Sequence, residues 1–162
     1  MIAGEGSELV HRPARDIYEF VLDPERYKQA DLKIGTVYSL TWLGDHAEIH
    51  YSGRFRGLPT PSVRQVITAQ PHRRVDVQSK PGTFAHFVSR FHGVFTFEEL
   101  GGGVTRVFHR EELEFSAPLK WFIEPLLRSW LEGDTPQEVL RLKMLLEANP
   151  DVVVDGTVDG HE

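Results

Sequence analysis

The amino-acid sequence predicts an α+β fold in which a curved antiparallel sheet packs against one long C-terminal helix. Three observations predict it: two short helical segments near the N-terminus, about 80 residues of strand-like apolar–polar alternation over residues 36–115, and an amphipathic segment over 118–147. A curved sheet closed by a single helix tends to leave a cavity between them. The order of the elements therefore predicts a shape with a pocket, without naming what fills it.

Length, charge and cysteine content exclude several classes of protein. The chain has 162 residues, a hydrophobic fraction of 40%, no cysteine and a formal net charge of −6. Four of the excess negative charges follow Pro150, so the remaining body is close to neutral. A near-neutral body argues against nucleic acid as a partner and against an electrostatic membrane anchor. The absence of cysteine excludes disulfides, thiol catalysis and thiolate metal ligands.

The domain organisation is simple. We expect one domain over residues 7–148, with flexible tails at 1–6 and 149–162, because both ends lack useful periodicity. No apolar run approaches the roughly 18 residues of a membrane span. The first residues lack the basic and apolar regions of a signal peptide, so we expect a cytoplasmic protein. Its oligomeric state stays open between a monomer and a homodimer.

Prolines mark the helices. Pro13 suits the first turn of a helix, because its missing N–H would be unpaired there. Asp23 as N-cap before Pro24 predicts a second helix over 24–30. In the C-terminal segment, residues 135–138 have the pattern of a capping box, which predicts two helices or one sharply kinked helix. The apolar stripe expected in its first half is Leu119, Phe122, Leu126 and Trp130.

The strands are assigned from period-two alternation. We expect a loop at 57–61, because two prolines so close are incompatible with a hydrogen-bonded ladder. Strands over 63–70 and 73–79 follow, and strands over 84–98 and 104–115 form a hairpin around three glycines at 101–103. The expected core faces carry Tyr38, Leu40 and Trp42; Ala47, Ile49, Tyr51 and Phe55; and Ala85, Phe87, Ser89, Phe91, Gly93, Phe95 and Phe97.

Strand 104–115 carries the residues of greatest chemical interest. The face with His109 and Glu111 must point inward, because the opposite face carries Arg106 and Arg110. A buried carboxylate costs several kcal/mol unless it is paired or neutral, so Glu111 needs His109, a cavity tyrosine or water as partner. Counting through the hairpin places Gly93 opposite His109. The alternative, that both residues lie solvated at an open rim, stays open.

A second constellation, His46, Glu48 and His50, lies on one face of a strand and offers ligands for zinc or non-haem iron. Ala47, Ile49 and Tyr51 alternate with them and are expected to face the core, so these three side chains face solvent. We therefore predict no metal and no cofactor. No phosphate-binding loop and no nucleophile motif is found in the sequence.

The chain resembles the START-like (SRPBCC) superfamily, which holds polyketide cyclases/dehydrases, lipid-transfer domains and the birch-pollen-allergen fold. The segments that carry the resemblance are 12–27, 102–107 and 139–147, and the match covers roughly residues 7–148. It implies a helix-grip fold, with about six or seven strands wrapped around the C-terminal helix and two short helices near the N-terminus. The sequence departs from the family after Tyr27, where residues 28–31 replace a segment that usually contains tryptophan.

Two functions follow from the resemblance and a third from composition. The first is binding or transport of a hydrophobic small molecule such as a lipid or a polyketide-like aromatic. The second is a polyketide cyclase, aromatase or dehydratase that uses His109 and Glu111 as acid and base while Tyr51 orients a carbonyl. The third is an interaction module whose own aromatics fill the cavity. The residues expected to line the pocket are Tyr38, Trp42, Tyr51, Ser89, Phe91, Phe95, His109, Glu111, Phe122, Leu126 and Trp130.

Overall fold

A computed structural model describes residues 1–148 and shows seven antiparallel strands and one long helix. The elements are β1 (Ile2–Val10), α1 (Ala14–Leu22), α2 (Pro24–Tyr27), β2 (Ile34–Leu43), β3 (His46–Phe55), β4 (Leu58–Gln70), β5 (Arg74–Ser79), α3 (Phe84–Val88), β6 (Ser89–Gly101), β7 (Val104–Phe115) and α4 (Leu119–Ala148). The strand order is β1-β7-β6-β5-β4-β3-β2. This architecture confirms the predicted α+β helix-grip fold.

The core lies between the concave face of the sheet, α1 and the second half of α4. It includes Ile17 and Phe20 of α1, Val107 of β7, and Val139 and Leu142 of α4. The predicted N-cap is confirmed, because the Asp23 carboxylate accepts hydrogen bonds from the first backbone N–H groups of α2. Helix α1 packs on β6, and α4 packs on β1 and β7.

The prediction of a flexible tail over residues 1–6 is wrong, because these residues belong to β1. β1 pairs with β7 from Ile2 opposite Leu113 to Val10 opposite Thr105. Its inward face carries glycine at positions 4 and 6, which removes the apolar alternation that identifies a strand in sequence. The predicted tail at 149–162 lies outside the described residues.

The two glycines allow α4 to approach the sheet closely. A Cβ atom at Gly4 would lie 2.4 Å from the Leu131 carbonyl oxygen, and one at Gly6 would lie 2.7 Å from Pro136 Cα. Any side chain at these positions must therefore push the helix away from β1.

The C-terminal segment is not two separate helices, whereas the alternative of one kinked helix stays a prediction. α4 runs without a break from Leu119 to Ala148 and contains Pro125 and Pro136. Thr135 is not an N-cap, because it lies inside the helix, where its hydroxyl oxygen is 3.0 Å from the Leu131 carbonyl oxygen. In the first half of α4, Ile123 and Leu127 line the cleft beside the sheet. The predicted residues Phe122 and Leu126 are instead 72% and 74% exposed.

Residues 84–88 form helix α3 rather than the start of a strand. Thr83 caps this helix through a 3.2 Å hydrogen bond from the His86 backbone N–H. Phe84, Phe87 and Val88 also have helical spacing, so the period of this short apolar run is ambiguous in sequence. Ala85 and Phe87 consequently leave the core face, and Phe87 is 77% exposed. Gly93, Phe95 and Phe97 of β6 are buried as predicted.

The predicted loop at 57–61 is wrong from Leu58 onward, because β4 begins there and contains Pro59 and Pro61. β4 pairs with β3 along most of its length, whereas its pairing with β5 begins only at Gln65. Both prolines thus lie where the strand has one neighbour, a position that tolerates a missing N–H.

We expect Gly4→Ala to destabilise the fold by about 1–3 kcal/mol, because the new methyl group overlaps the backbone of α4. Urea denaturation measures the free energy of unfolding. The matched control is Gly133→Ala, which meets no atom within 4 Å and lies inside α4. That substitution should stabilise by about 0.5–1 kcal/mol through helix propensity. Equal stability of Gly4→Ala and wild type would contradict the close packing of β1 on α4.

Candidate ligand-binding site

A cavity of about 110 Å³ lies between the concave face of the sheet, α2 and α4. Its apolar wall comes from β3 to β6 and from the end of α1, and includes Ile49, Ile67, Val75, Phe91 and Phe95. Its polar lining residues are Tyr27, Asp31, Lys33, Tyr51, Gln65, His109, Glu111 and Glu138. An apolar pocket with a few convergent polar groups is typical of a small-molecule site.

A second, wider cleft of about 560 Å³ adjoins this inner cavity. It lies between the β3–β4 hairpin, α3 and the first half of α4, and its wall includes Phe55, Val63, Ile123, Leu127 and Trp130. Lys33 and Tyr51 line both spaces, so they form the neck between the outer cleft and the inner cavity. A ligand with an apolar body in the outer cleft would present its end to these two residues.

A buried ammonium group organises the polar end of the inner cavity. Lys33, just before β2, donates to Glu111 at 3.1 Å, to Asp134 at 3.1 Å and to Glu138. Asp31 lies 3.2 Å away in the same turn. Burial opposes the charge of Lys33, but the four carboxylates outweigh it and raise its pKa well above the usual value. Lys33 is therefore charged and unsuited to act as an amine nucleophile.

His109 is the second cation of this cluster. Its Nδ1 donates to the Val94 carbonyl oxygen at 3.0 Å, and its ring stacks on Phe95 with centroids 3.7 Å apart. Nε2 faces Glu138 at 3.3 Å and Glu111 at 3.7 Å. Burial opposes the charge, but these two carboxylates raise the pKa of His109 to about 10. The residue is an imidazolium at neutral pH.

The carboxylates of the cluster differ in their ionisation. Burial works against the charge of Glu138 and of Glu111, yet Lys33 and His109 hold the pKa of both below the usual range. Burial and the neighbouring Glu138 instead raise the pKa of Asp31 to about 7. The Glu138 carboxylate also accepts a hydrogen bond from the Tyr27 hydroxyl. Glu111 and Glu138 are thus fixed anions, whereas Asp31 titrates near neutrality.

The expectation that Glu111 lies inside is confirmed, and the rim alternative is wrong, since His109 and Glu111 are 2% and 1% exposed. The predicted partner His109 contributes, but Lys33 lowers the pKa of Glu111 more, and the Thr135 hydroxyl donates to the Glu111 carboxylate at 2.9 Å. The predicted register is two residues off, because Gly93 lies opposite Glu111 and Phe95 lies opposite His109.

The other predicted pocket residues divide into three groups. Tyr51, Phe91 and Phe95 line the inner cavity, whereas Ser89 and Trp130 line the outer cleft. Four residues line neither space, so the prediction that they line the pocket is wrong: Tyr38, Trp42, Phe122 and Leu126 are 57%, 47%, 72% and 74% exposed.

The two exposed aromatics of β2 have different causes. A β-bulge between Val37 and Ser39 turns Tyr38 to the outer face, where its ring meets His50 at 4.8 Å. Trp42 lies opposite Ala47 on the concave face, but β2 is an edge strand that α4 does not cover.

Sequence reasoning missed most of the charged cluster. Lys33 and Asp31 lie in a turn whose polar residues look like an ordinary loop, and Glu138 fits the pattern of a capping box. Two features of the sequence could have indicated the cluster. One is the number of acids on α4 and β7 that need a cation, and the other is segment 28–31, which departs from the family pattern. Nothing in one-dimensional spacing brings Lys33 to Glu138, because they are 105 residues apart.

His109, Glu111 and Glu138 also have the geometry of a metal site, since one ligand atom from each lies within 4.8 Å of the others. The Lys33 ammonium bonds both carboxylates and supplies the positive charge that a metal ion would bring. The sequence-based prediction of no metal therefore stays a prediction.

The fold and the site define a helix-grip protein with a polar-ended apolar pocket. Residues 1–147 match the family model described as polyketide cyclase / dehydrase and lipid transport, and the chain belongs to this family. The curated proteins include no match. Within residues 1–148, no helix is long and apolar enough to cross a membrane.

Solved structures of the same fold are similar at low sequence identity. TTHA0849 of Thermus thermophilus has a TM-score of 0.73 at 15% identity, over 91% of this chain and 99% of that one. The Zhui aromatase/cyclase of Streptomyces sp. R1128 gives 0.72 at 12% identity, over 91% and 94%. A START superfamily protein of Mycobacterium smegmatis gives 0.69 at 17% identity, over 90% and 97%.

The charge of His109 makes stability depend on pH. Its folded pKa of about 10 exceeds the ordinary value of 6.5, so the stabilisation is full below pH 6.5 and is lost as pH rises toward 10. Between about pH 7.5 and 9 we expect the free energy of unfolding to fall by at most roughly 1.4 kcal/mol per pH unit. His109→Gln should flatten this slope.

Urea titrations at several pH values measure the effect. The control is His50→Gln, which removes an imidazole from the outer face of the sheet and should leave the wild-type slope. Asp31 acts in the same direction at lower pH, since its pKa is raised from 3.8 to about 7, so titrations above about pH 7.5 isolate His109. A His109→Gln slope equal to that of wild type would refute the buried imidazolium.

Proposed function

We propose that this protein binds a hydrophobic small molecule, such as a lipid or a polyketide-like aromatic, between the sheet and α4. The observation that carries the proposal is the apolar cleft that narrows at Lys33 and Tyr51 and ends in a buried polar cluster. Membership in a family described by both cyclisation or dehydration and lipid transport supports a ligand in this place. The proposal extends to transport if the ligand is released unchanged.

Apolar contact alone supplies most of a useful affinity. Burial of about 300 Å² of apolar ligand surface contributes roughly 7 kcal/mol before the costs of association. Micromolar binding needs about 8 kcal/mol in total, so one or two hydrogen bonds at the polar end complete the requirement. No catalytic group is needed for such affinity.

The state of the titratable groups favours binding over acid–base catalysis. An efficient general acid or base has a pKa near the working pH. His109 holds its proton to about pH 10, and Glu111 stays ionised between Lys33 and His109. In the unliganded protein neither group is poised to exchange a proton at neutral pH.

The most direct experiment identifies a copurifying molecule. Native mass spectrometry of the protein from its own host, followed by extraction, would reveal a bound lipid or polycyclic aromatic. Such a molecule would support the pocket and name its chemistry. The proposal would be contradicted if every preparation gave the mass of the protein alone and no compound of a lipophile panel raised its melting temperature. That result would favour a cavity filled by the protein's own side chains.

A pair of variants on α4 tests the location of the ligand. Leu127→Trp fills the outer cleft and should weaken binding of the uncharged fluorophore N-phenyl-1-naphthylamine at least about 10-fold, because apolar contact area is lost. Leu126→Trp adds the same indole one residue away on the exposed face, and should leave affinity unchanged. Fluorescence titration measures both. Equal affinities of the two variants would place the probe outside the cleft.

A cyclase, aromatase or dehydratase is the second candidate function, and the adjacency of His109 and Glu111 in the cavity favours it. In this case His109→Ala should abolish turnover of a poly-β-ketone substrate while ligand binding persists, because the proton donor is lost. Single-turnover assays measure the reaction, and fluorophore titration measures binding. Unchanged turnover would remove His109 from the mechanism.

A further inference from the structure

The inner cavity holds a hydrogen-bond donor that the fold does not use. Nδ1 of His109 is committed to the Val94 carbonyl oxygen, whereas Nε2, although buried, has no hydrogen-bond partner among residues 1–148. Its 3.3 Å approach to Glu138 is a charge contact without hydrogen-bond orientation. Because His109 is 2% exposed and lines the cavity, this N–H can be satisfied only from within.

An acceptor lies beside this donor. Oε2 of Glu111 is committed to Lys33 at 3.1 Å and to Thr135 at 2.9 Å. Oε1 of Glu111 lies 3.7 Å from His109 Nε2, which is beyond hydrogen-bond distance. The cavity therefore presents one unused donor and one carboxylate oxygen with free lone pairs next to each other.

We propose that the inner end of the cavity binds a hydroxyl group, of an alcohol or a phenol, that donates to Glu111 Oε1 and accepts from His109 Nε2. This inference rests on the proposed function and specifies the class of ligand for the same site. A hydroxyl is a small group that both donates and accepts. An ether or ketone oxygen only accepts, so it would leave the carboxylate oxygen of Glu111 unpaired in a dry site.

The same cluster discriminates against carboxylic acids. The donors of Lys33 are directed at Glu111, Asp134 and Glu138, so its ammonium offers no free N–H to an anion. The cavity is lined by the fixed anions Glu111 and Glu138 and by Asp31, which titrates near neutrality, against the two cations Lys33 and His109. A ligand carboxylate would meet Glu111 Oε1 directly, and like charges at this distance in a buried site repel strongly.

Three probes with the same bicyclic body test the proposal: 2-naphthol, 2-methoxynaphthalene and 2-naphthoate. Isothermal titration calorimetry with the wild-type protein at neutral pH gives their dissociation constants. We expect 2-naphthol to bind at least about 10-fold more tightly than the methyl ether, and 2-naphthoate to bind most weakly.

Glu111→Gln tests the assigned acceptor. Removal of one negative charge should strengthen 2-naphthoate binding at least about fivefold and reduce the preference for 2-naphthol over the ether. The matched control is Glu112→Gln, the next residue on β7, whose carboxylate pairs with Arg110 on the outer face. It should leave all three affinities as in wild type. Circular dichroism verifies that both variants are folded.

The outcomes separate the two proposals. If the ether or the naphthoate binds wild type as tightly as 2-naphthol, the hydroxyl site is refuted while the hydrophobic pocket stands. If no probe binds, both the pocket and the hydroxyl site are refuted for ligands of this size. The wild-type comparison decides even if Glu111→Gln does not fold.

Discussion

The buried Lys33 ammonium is the interaction on which the rest of the structure depends. It joins the turn before β2 to Glu111 on β7 and to Asp134 and Glu138 on α4, so one cation ties the far edge of the sheet to the helix. Desolvation of an ammonium group is costly, and only several well-placed carboxylates offset it. Loss of Lys33 would leave four acids facing each other, and removal of one partner from a buried ion pair typically destabilises a fold by about 3–5 kcal/mol.

The position of α4 makes this network possible. Glycines at 4 and 6 let the helix backbone approach β1, and Thr135 then reaches Glu111 across the interface. A helix held even slightly farther from the sheet would move Glu138 away from Lys33, Tyr27 and His109. Close backbone packing and pairing of the buried charges therefore act as one constraint. Both require the same short distance between α4 and the sheet.

The sequence predicts the fold better than the site. Period-two alternation locates the strands around Ile49, Val75 and Phe95, because burial of one face of a strand requires an apolar residue at every second position. Alternation does not predict β1, because the inward face of this strand carries glycine at positions 4 and 6 instead of apolar side chains. The site is predicted only in part: alternation turns His109 and Glu111 inward, but Lys33 meets them and Glu138 through tertiary contacts over about a hundred residues, which no local pattern encodes.

The cluster is not explained by stability alone. Apolar side chains of similar volume often hold a helix on a sheet as well as a buried ion network does. The three solved structures named above are only 12% to 17% identical to this chain in sequence, so the fold itself tolerates very different side chains. His109 Nε2 has no hydrogen-bond partner among the described residues, and both His109 and Glu111 line the cavity. The chemistry of this pocket is therefore set by the His109 donor and the Glu111 carboxylate at its inner end, and a carboxylate already in place favours an uncharged hydrogen-bonding group over an anion.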